Sequence, residues 1–188
     1  MIDEVLFDAL KRFGEGDAAA GDLVMTLAYP ELKQMARNVL ATERTSHTLQ
    51  PTALVNEVWL KLNGERGMYE SRARFFGLAA RAMRQILVDY ARRRLSEKRN
   101  AGKAPLLLDE NFISTGGLSM PSMLSLDQSI DKLAEVDSRK ARVVEMRFFA
   151  GMENDEIAYV LGVSERTIKR DWLFARAFLH EMVYRGAT

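Results

Sequence analysis

The sequence predicts an all-α fold made of two small domains. Apolar residues recur at helical spacing through most of the 188 residues. No segment alternates apolar and polar residues convincingly, as a half-buried strand would. The periodicity lapses from Asn100 to about Ser125, where glycine, proline and serine are frequent. We therefore predict helical domains over residues 1–99 and 126–188, joined by a flexible linker over residues 100–125.

The first domain is predicted to be a bundle of amphipathic helices. The first helix ends at Gly14. Apolar residues resume beyond it, and Pro30 should either start a new helix or kink an existing one. The next helix begins at Pro51, which suits a first helical turn, and ends at Gly64. A long helix should then run from near Ser71 to about Arg99, with a wide apolar face and a basic C-terminal end.

The second domain is predicted to contain four helices. The first carries apolar residues from Leu126 to Leu133, and Asp137 or Ser138 can cap the second, which ends at Gly151. The linker itself is too apolar for a fully solvated tether, so we expect part of it to dock. Its apolar residues are Leu106, Leu107, Leu108, Phe112 and Ile113.

The last two helices, within Asn154–Arg176, have the pattern of a helix-turn-helix. Gly162 supplies the turn, Val163 fills the corner, and Ser164 is a good N-cap for the second helix. A helix that presents cations from its first turns can read bases in the major groove. The buried stripe of this helix is predicted to be Ile168, Trp172, Ala175 and Leu179. That leaves Glu165, Arg166, Lys169 and Arg170 outward, where they could contact DNA.

Charge and composition narrow the function classes. The chain has 27 Lys and Arg against 26 Asp and Glu, but acidic residues dominate before residue 32 and basic residues dominate from Arg81 to Lys103. Such a basic block indicates a polyanionic partner. Because the chain lacks cysteine, it can form neither a disulfide nor a cysteine-based zinc site. No apolar run is long enough for a membrane span, and acidic Asp3 and Glu4 are unlike a signal peptide, so we expect a cytoplasmic protein.

No motif favours an enzyme. The only histidines, His47 and His180, are far apart and lack carboxylates at metal-ligand spacing. The chain also lacks a P-loop, a G-x-S-x-G motif and a G-x-G-x-x-G motif. We therefore expect no catalytic residue, no cofactor and no metal.

The long middle helix combines aromatic and basic residues, as a site for single-stranded nucleic acid does. Bases can stack on the aromatic rings while arginines contact phosphates. Phe75 and Phe76 have helical spacing that favours the core, so Tyr69, in the preceding loop, is the better candidate for an exposed ring. For the basic run 92–94 we favour phosphate contact over a solvated helix end.

Four segments together resemble bacterial sigma factors of the extracytoplasmic-function group. They are H-T-L-Q-P-T-A-L-V-N-E-V-W-L-K-L (47–62), F-F-G-L-A-A-R-A-M-R-Q-I-L-V-D-Y-A-R-R-R (75–94), A-R-V-V-E-M-R-F-F-A-G (141–151) and the hairpin E-I-A-Y-V-L-G-V-S-E-R-T-I-K-R-D-W. The first carries the signature of a sigma-like subgroup with Q-P-T-A-L. The resemblance spans nearly the whole chain.

This resemblance implies a promoter-specificity factor for core RNA polymerase, with a region 2-like first domain and a region 4-like second domain. The implied partners are core polymerase, promoter DNA and an anti-sigma factor, and the implied state on polymerase is a monomer. The helix matching 52–62 would bind polymerase through Leu54, Asn56, Glu57 and Lys61. The helix of residues 164–170 would read the minus-thirty-five element. The segment 69–99 would open and read the minus-ten element through Tyr69, Arg72, Arg74, Arg84, Asp89, Arg92 and Arg93.

Two other readings remain open at this point. An ordinary helix-turn-helix regulator would bind duplex DNA, as a dimer, without contacting polymerase. A helical adaptor would use its basic patches to bind acidic protein surfaces.

The chain also departs from the resemblance in two places. Residues Gln50, Pro51 and Thr52 stand where many family members have acidic residues. Glu153 stands where a serine or threonine cap is usual, so we expect Asn154 to cap that helix instead.

Overall fold

The all-α prediction is confirmed in the computed structural model, which describes residues 2–40, 49–64, 69, 71–100 and 120–185. All regular structure within these ranges is helical. The polar loop predicted near residues 42–47, with His47, lies outside the described residues. So do linker residues 101–119 and the docking expected of their apolar segment. The helices are α1 (Ile2–Gly14), α2 (Ala18–Leu40), α3 (Pro51–Gly64), α4 (Arg72–Asn100), α5 (Met120–Val136), α6 (Ser138–Glu145), α7 (Asn154–Leu161) and α8 (Glu165–Arg185).

The structure decides one boundary that the sequence left open and corrects another. Pro30 lies inside a single helix, α2, and does not start a new one. Helix α5 begins at Met120, six residues before the predicted Leu126. Pro121 occupies its first turn, where a missing backbone N–H removes no helical hydrogen bond. At both positions the helix includes the proline, although the sequence pattern suggested a break or a later start there.

One apolar core connects helices from both sides of the linker. Helix α4 lies at its centre and packs against α3, against α5 and against the π-helical turn Met146–Ala150 that continues α6. Side chains such as Phe75 and Met83 of α4 belong to the same buried cluster as Leu126 and Ile130 of α5. Division into two domains therefore stays a prediction, and in this structure the helices on either side of the linker share a buried interface.

Among the described helices, none combines the length and the apolar composition that a membrane crossing requires.

The start of α6 confirms the predicted cap at Asp137. Its side chain accepts hydrogen bonds from the backbone N–H groups of Arg139 (3.0 Å) and Lys140 (3.2 Å). It also pairs with the Lys140 ammonium group. That hydrogen bond and the backbone donor lower the pKa of the Asp137 carboxyl below its ordinary value of 3.8. The ionised cap therefore stabilises the fold.

We expect Asp137→Asn to be less stable than the wild type at neutral pH, because it keeps the cap oxygen but loses the charge facing Lys140. A depressed pKa contributes stability in full above the ordinary value, and this contribution is lost as the pH falls through the folded-state pKa. The two proteins should therefore converge in acid. Urea unfolding across this pH range tests the prediction, with Glu135→Gln on exposed α5 surface as the control. A stability difference independent of pH would contradict it.

Candidate nucleic-acid interface

The hairpin of α7 and α8 has the turn that the sequence predicts. Gly162 ends α7 in the left-handed conformation, at φ 65° and ψ 35°. This conformation favours glycine because a Cβ atom would crowd the backbone. The Ser164 hydroxyl then accepts a hydrogen bond from the Thr167 N–H (3.2 Å) and so caps α8. The chain reverses within three residues, which brings α8 across α7.

The predicted cap of α7 at Asn154 is wrong. Glu153 is the N-cap residue, with an extended backbone, and its N–H donates to the Glu156 carboxylate (2.9 Å). Asn154 is the first helical residue, and its side-chain oxygen accepts a hydrogen bond from Arg147. Glu156 can reach back to Glu153 because three residues make nearly one helical turn, which is the geometry of a capping box.

The hairpin packs in a small apolar cluster that also contains buried residues of α6 and of the segment after it. Ile157 and Ala158 of α7 and Ile168 of α8 are buried, and Val163 is partly buried at the corner, as predicted. The sequence pattern missed Asp171, which is fully buried directly after Arg170. Its carboxylate accepts a hydrogen bond from the Arg139 guanidinium (2.7 Å) and so ties α8 to α6.

The outward face of α8 agrees with the prediction. All five predicted side chains are exposed, on the first two turns and the cap of the helix. Lys169 lies 3.7 Å from Glu165 in an exposed pair one turn apart, an interaction too weak to withdraw the lysine from a nucleic acid. The face is thus open to a partner. Its residues are Ser164, Glu165, Arg166, Lys169 and Arg170.

Tyr69 is not the exposed ring that the sequence predicts. It is 2% exposed, stacks on Phe13 at 5.5 Å, and donates its hydroxyl proton to the Leu62 carbonyl (2.7 Å). The preference of Phe75 and Phe76 for the core is confirmed, since both are buried and contact each other edge to face. In this conformation these three rings therefore cannot stack on bases.

The structure exposes some of the charged residues predicted for the minus-ten region and buries others. Arg74, Asp89, Arg92 and Arg93 are exposed on α4. Arg72 is half-buried, and its guanidinium pairs with Glu31 (2.5 Å) in α2 as well as lying near Phe76. These residues occupy both ends of α4 and do not form one compact patch.

Arg84 contradicts the expectation of a DNA-facing side chain, because it is buried, with 9% exposure. Its guanidinium lies among three carboxylates, at 2.7 Å from Asp127, 2.5 Å from Asp131 and 2.5 Å from Glu145. Burial lowers the pKa of Arg84, but the hydrogen bonds to Glu145 and Asp131 outweigh it, so the pKa is raised overall. Arg92, about two helical turns further along α4, also reaches Asp127 (3.2 Å).

A groove of about 880 Å³ runs beside this cluster, between α4 and the helices that follow the linker. Asp89 and the carboxylates of the cluster line this groove. Cationic side chains line it as well, including Lys61, Arg74, Arg81 and Arg142. The groove therefore has mixed charge and leaves room for solvent around the buried ion pairs.

The residues of α3 that are predicted to bind polymerase differ in exposure. Asn56 and Glu57 are exposed and Lys61 is half-buried, but Leu54 is fully buried in the core and cannot contact a partner from this position. The pattern missed Leu60, which is 69% exposed on α3. An exposed leucine is ordinary by itself, but its position on the predicted docking helix could have drawn attention to it.

The chain as a whole matches a known protein family. A family model described as ECF sigma factor matches residues 4–184, nearly the whole chain. No individual curated protein matches the chain significantly.

Proposed function

Because the chain belongs to the ECF sigma factor family, whose members act in transcription initiation, we propose that it docks on core RNA polymerase and directs it to specific promoters. The observation that carries this proposal is the exposed face of α8 on a hairpin whose inner face is buried. In this proposal Ser164, Glu165, Arg166, Lys169 and Arg170 read the minus-thirty-five element in the major groove.

A second surface, on α3, is proposed to hold polymerase. Asn56, Glu57 and Lys61 provide polar contacts, and Leu60 provides an apolar anchor beside them. Buried Leu54 supports the helix from within. An exposed apolar side chain among polar ones is the usual composition of a protein interface, with its centre drier than its rim.

The minus-ten contacts are proposed for the exposed residues of α4, namely Arg74, Asp89, Arg92 and Arg93, together with Arg72. Tyr69 is left out because it is buried, and Arg84 because carboxylates enclose it in this conformation. The protein would act in the cytoplasm, as a monomer on polymerase, and an anti-sigma factor is a further proposed partner. Two DNA-binding surfaces on one chain raise the effective affinity for a promoter that contains both elements.

Transcription in vitro with core polymerase, this protein and a genomic library tests the proposal. We expect initiation at a defined set of promoters and co-purification of the protein with core enzyme. Duplex binding without either result would favour the alternative, a helix-turn-helix regulator that does not dock on polymerase.

Replacing Arg170 by Ala should weaken duplex promoter binding by about 1–3 kcal/mol, because a guanidinium that contacts a base edge contributes about that much. Arg176→Ala is the matched control, since Arg176 is exposed on the same helix beyond the first two turns. Filter binding at fixed salt measures both. Equal loss in the two variants would indicate general charge attraction and contradict a base contact by Arg170.

A further inference from the structure

The carboxylates around Arg84 all belong to the chain beyond the linker. Asp127 and Asp131 are in α5 and Glu145 ends α6, whereas Arg84 and Arg92 are in α4. We propose that the structure with these ion pairs is a closed, self-inhibited state of the protein, in which the C-terminal helices compete with promoter DNA for the arginines of α4. The proposal rests on the proposed role of α4 in binding the minus-ten region.

The competition follows from the chemistry of the guanidinium group. Carboxylates and phosphates accept the same forked pair of N–H donors, so one guanidinium cannot serve both fully. Arg84 donates through Nε to Asp127 (2.9 Å) and through Nη1 to Glu145 (2.5 Å), which uses both edges of its plane. A phosphate could reach it only after α5 and α6 had moved away.

Apolar contacts hold the same helices together. A Cβ atom built on Gly77 of α4 would lie 3.4 Å from Cε of Met146, so the Met146 side chain packs directly against α4 at this glycine. Leu126 and Ile130 of α5 are buried in the core that α4 shares. At the other end, Arg72 of α4 lies 3.4 Å from Glu156 of α7. The closed state therefore combines apolar burial with two separate groups of ion pairs.

The interface also has features that permit opening. The groove beside Arg84 leaves room for solvent at the interface, and Asp131 is still 65% exposed in its ion pair. Lys61 of the proposed docking helix borders this groove. Polymerase bound to α3 would thus adjoin the interface and could favour the open form. A ligand that binds only the open form has its apparent affinity reduced by the open fraction.

The first test removes the competing charges. The triple variant Asp127→Asn, Asp131→Asn and Glu145→Gln keeps side-chain size while leaving Arg84 without carboxylates. The free protein should then bind forked DNA with a single-stranded minus-ten segment about tenfold more tightly, if the open form is about a tenth of the wild-type population. The control variant Glu15→Gln, Asp22→Asn and Glu135→Gln changes the net charge equally, at exposed positions. Equal affinities of the two variants would overturn the proposal.

The second test locks the closed state with a disulfide. The chain has no cysteine, so the pair Gly77→Cys and Met146→Cys can form only one intramolecular bond. The Gly77 Cβ position lies 4.0 Å from Cγ of Met146, which is close enough for bridging. The oxidised protein should lose forked-DNA binding and initiation with core polymerase, and reduction should restore both.

Two outcomes of the locking experiment would overturn the proposal. One is an oxidised, cross-linked protein that initiates as well as its reduced form. The other is a folded double variant, verified by circular dichroism, that forms no disulfide. If the reduced double variant is itself inactive, the comparison of the triple variant with its control in the first test decides whether the proposal holds. Failure of the wild type to initiate with core polymerase would instead overturn the proposed function, while cross-linking would still report the closed state.

Discussion

Replacing Phe75 by Ala should lower the free energy of unfolding by about 3–5 kcal/mol, the usual cost of truncating a buried phenylalanine. Its ring is fully buried and contacts Tyr69 and Phe76 edge to face, at 5.5 and 5.3 Å. Truncation removes these contacts and leaves a cavity that rigid helices fill only partly. The loss should appear in urea unfolding as a lower midpoint.

Phe7→Ala is the control for this experiment, because Phe7 is 48% exposed on α1 and its truncation leaves no cavity. The comparison also separates the two roles that the sequence left open for Phe75. A variant with unchanged unfolding free energy and weaker binding to single-stranded promoter DNA would mean that the ring stacks on bases. We expect the opposite result.

Replacing Ile168 by Ala should cost about 2–5 kcal/mol, again through lost burial and a residual cavity. Ile168 is fully buried between α7 and α8, in the hairpin core with Ile157 and Ala158. This core is small, so one side chain is a large part of it. Because the core orients α8, duplex promoter binding should fall even though Ile168 itself faces away from DNA.

Leu173→Ala provides the matched control on the same helix, since Leu173 is 67% exposed. Urea unfolding and filter binding on the same preparations would measure both effects. If Ile168→Ala lost stability but bound duplex DNA normally, the orientation of α8 would not depend on this core. If Leu173→Ala lost as much stability as Ile168→Ala, burial would not explain either effect.

Local signals in the sequence were sufficient for the turn and the second helix of the hairpin, although not for the cap of α7. The turn requires a positive φ, which glycine adopts more easily than any other residue, and Gly162 supplies it. Ser164 caps α8 by accepting a hydrogen bond from the N–H of Thr167, three positions later. The apolar stripe containing Ile168 follows from helical periodicity. Each of these features depends on neighbours in sequence, and each was predicted.

Predictions failed where a side chain meets a distant part of the chain. Tyr69 was expected to be exposed because it lies in a loop, but it is buried against Phe13 of α1. Arg84 was expected to face DNA, but carboxylates from α5 and α6 surround it. The charge of Asp127 was equally visible in the sequence, but its distance from Arg84 in space was not.

The sequence by itself determined the helices, the glycine turn and the basic face of α8, because hydrophobic periodicity and backbone propensity act within a few residues. Only the tertiary structure decided which charges are available to a partner. A guanidinium is exposed or neutralised according to what packs against it, and that depends on contacts across the linker. Arg170 and Arg84 are the same residue type on two helices, yet one is open to solvent and the other is enclosed by carboxylates.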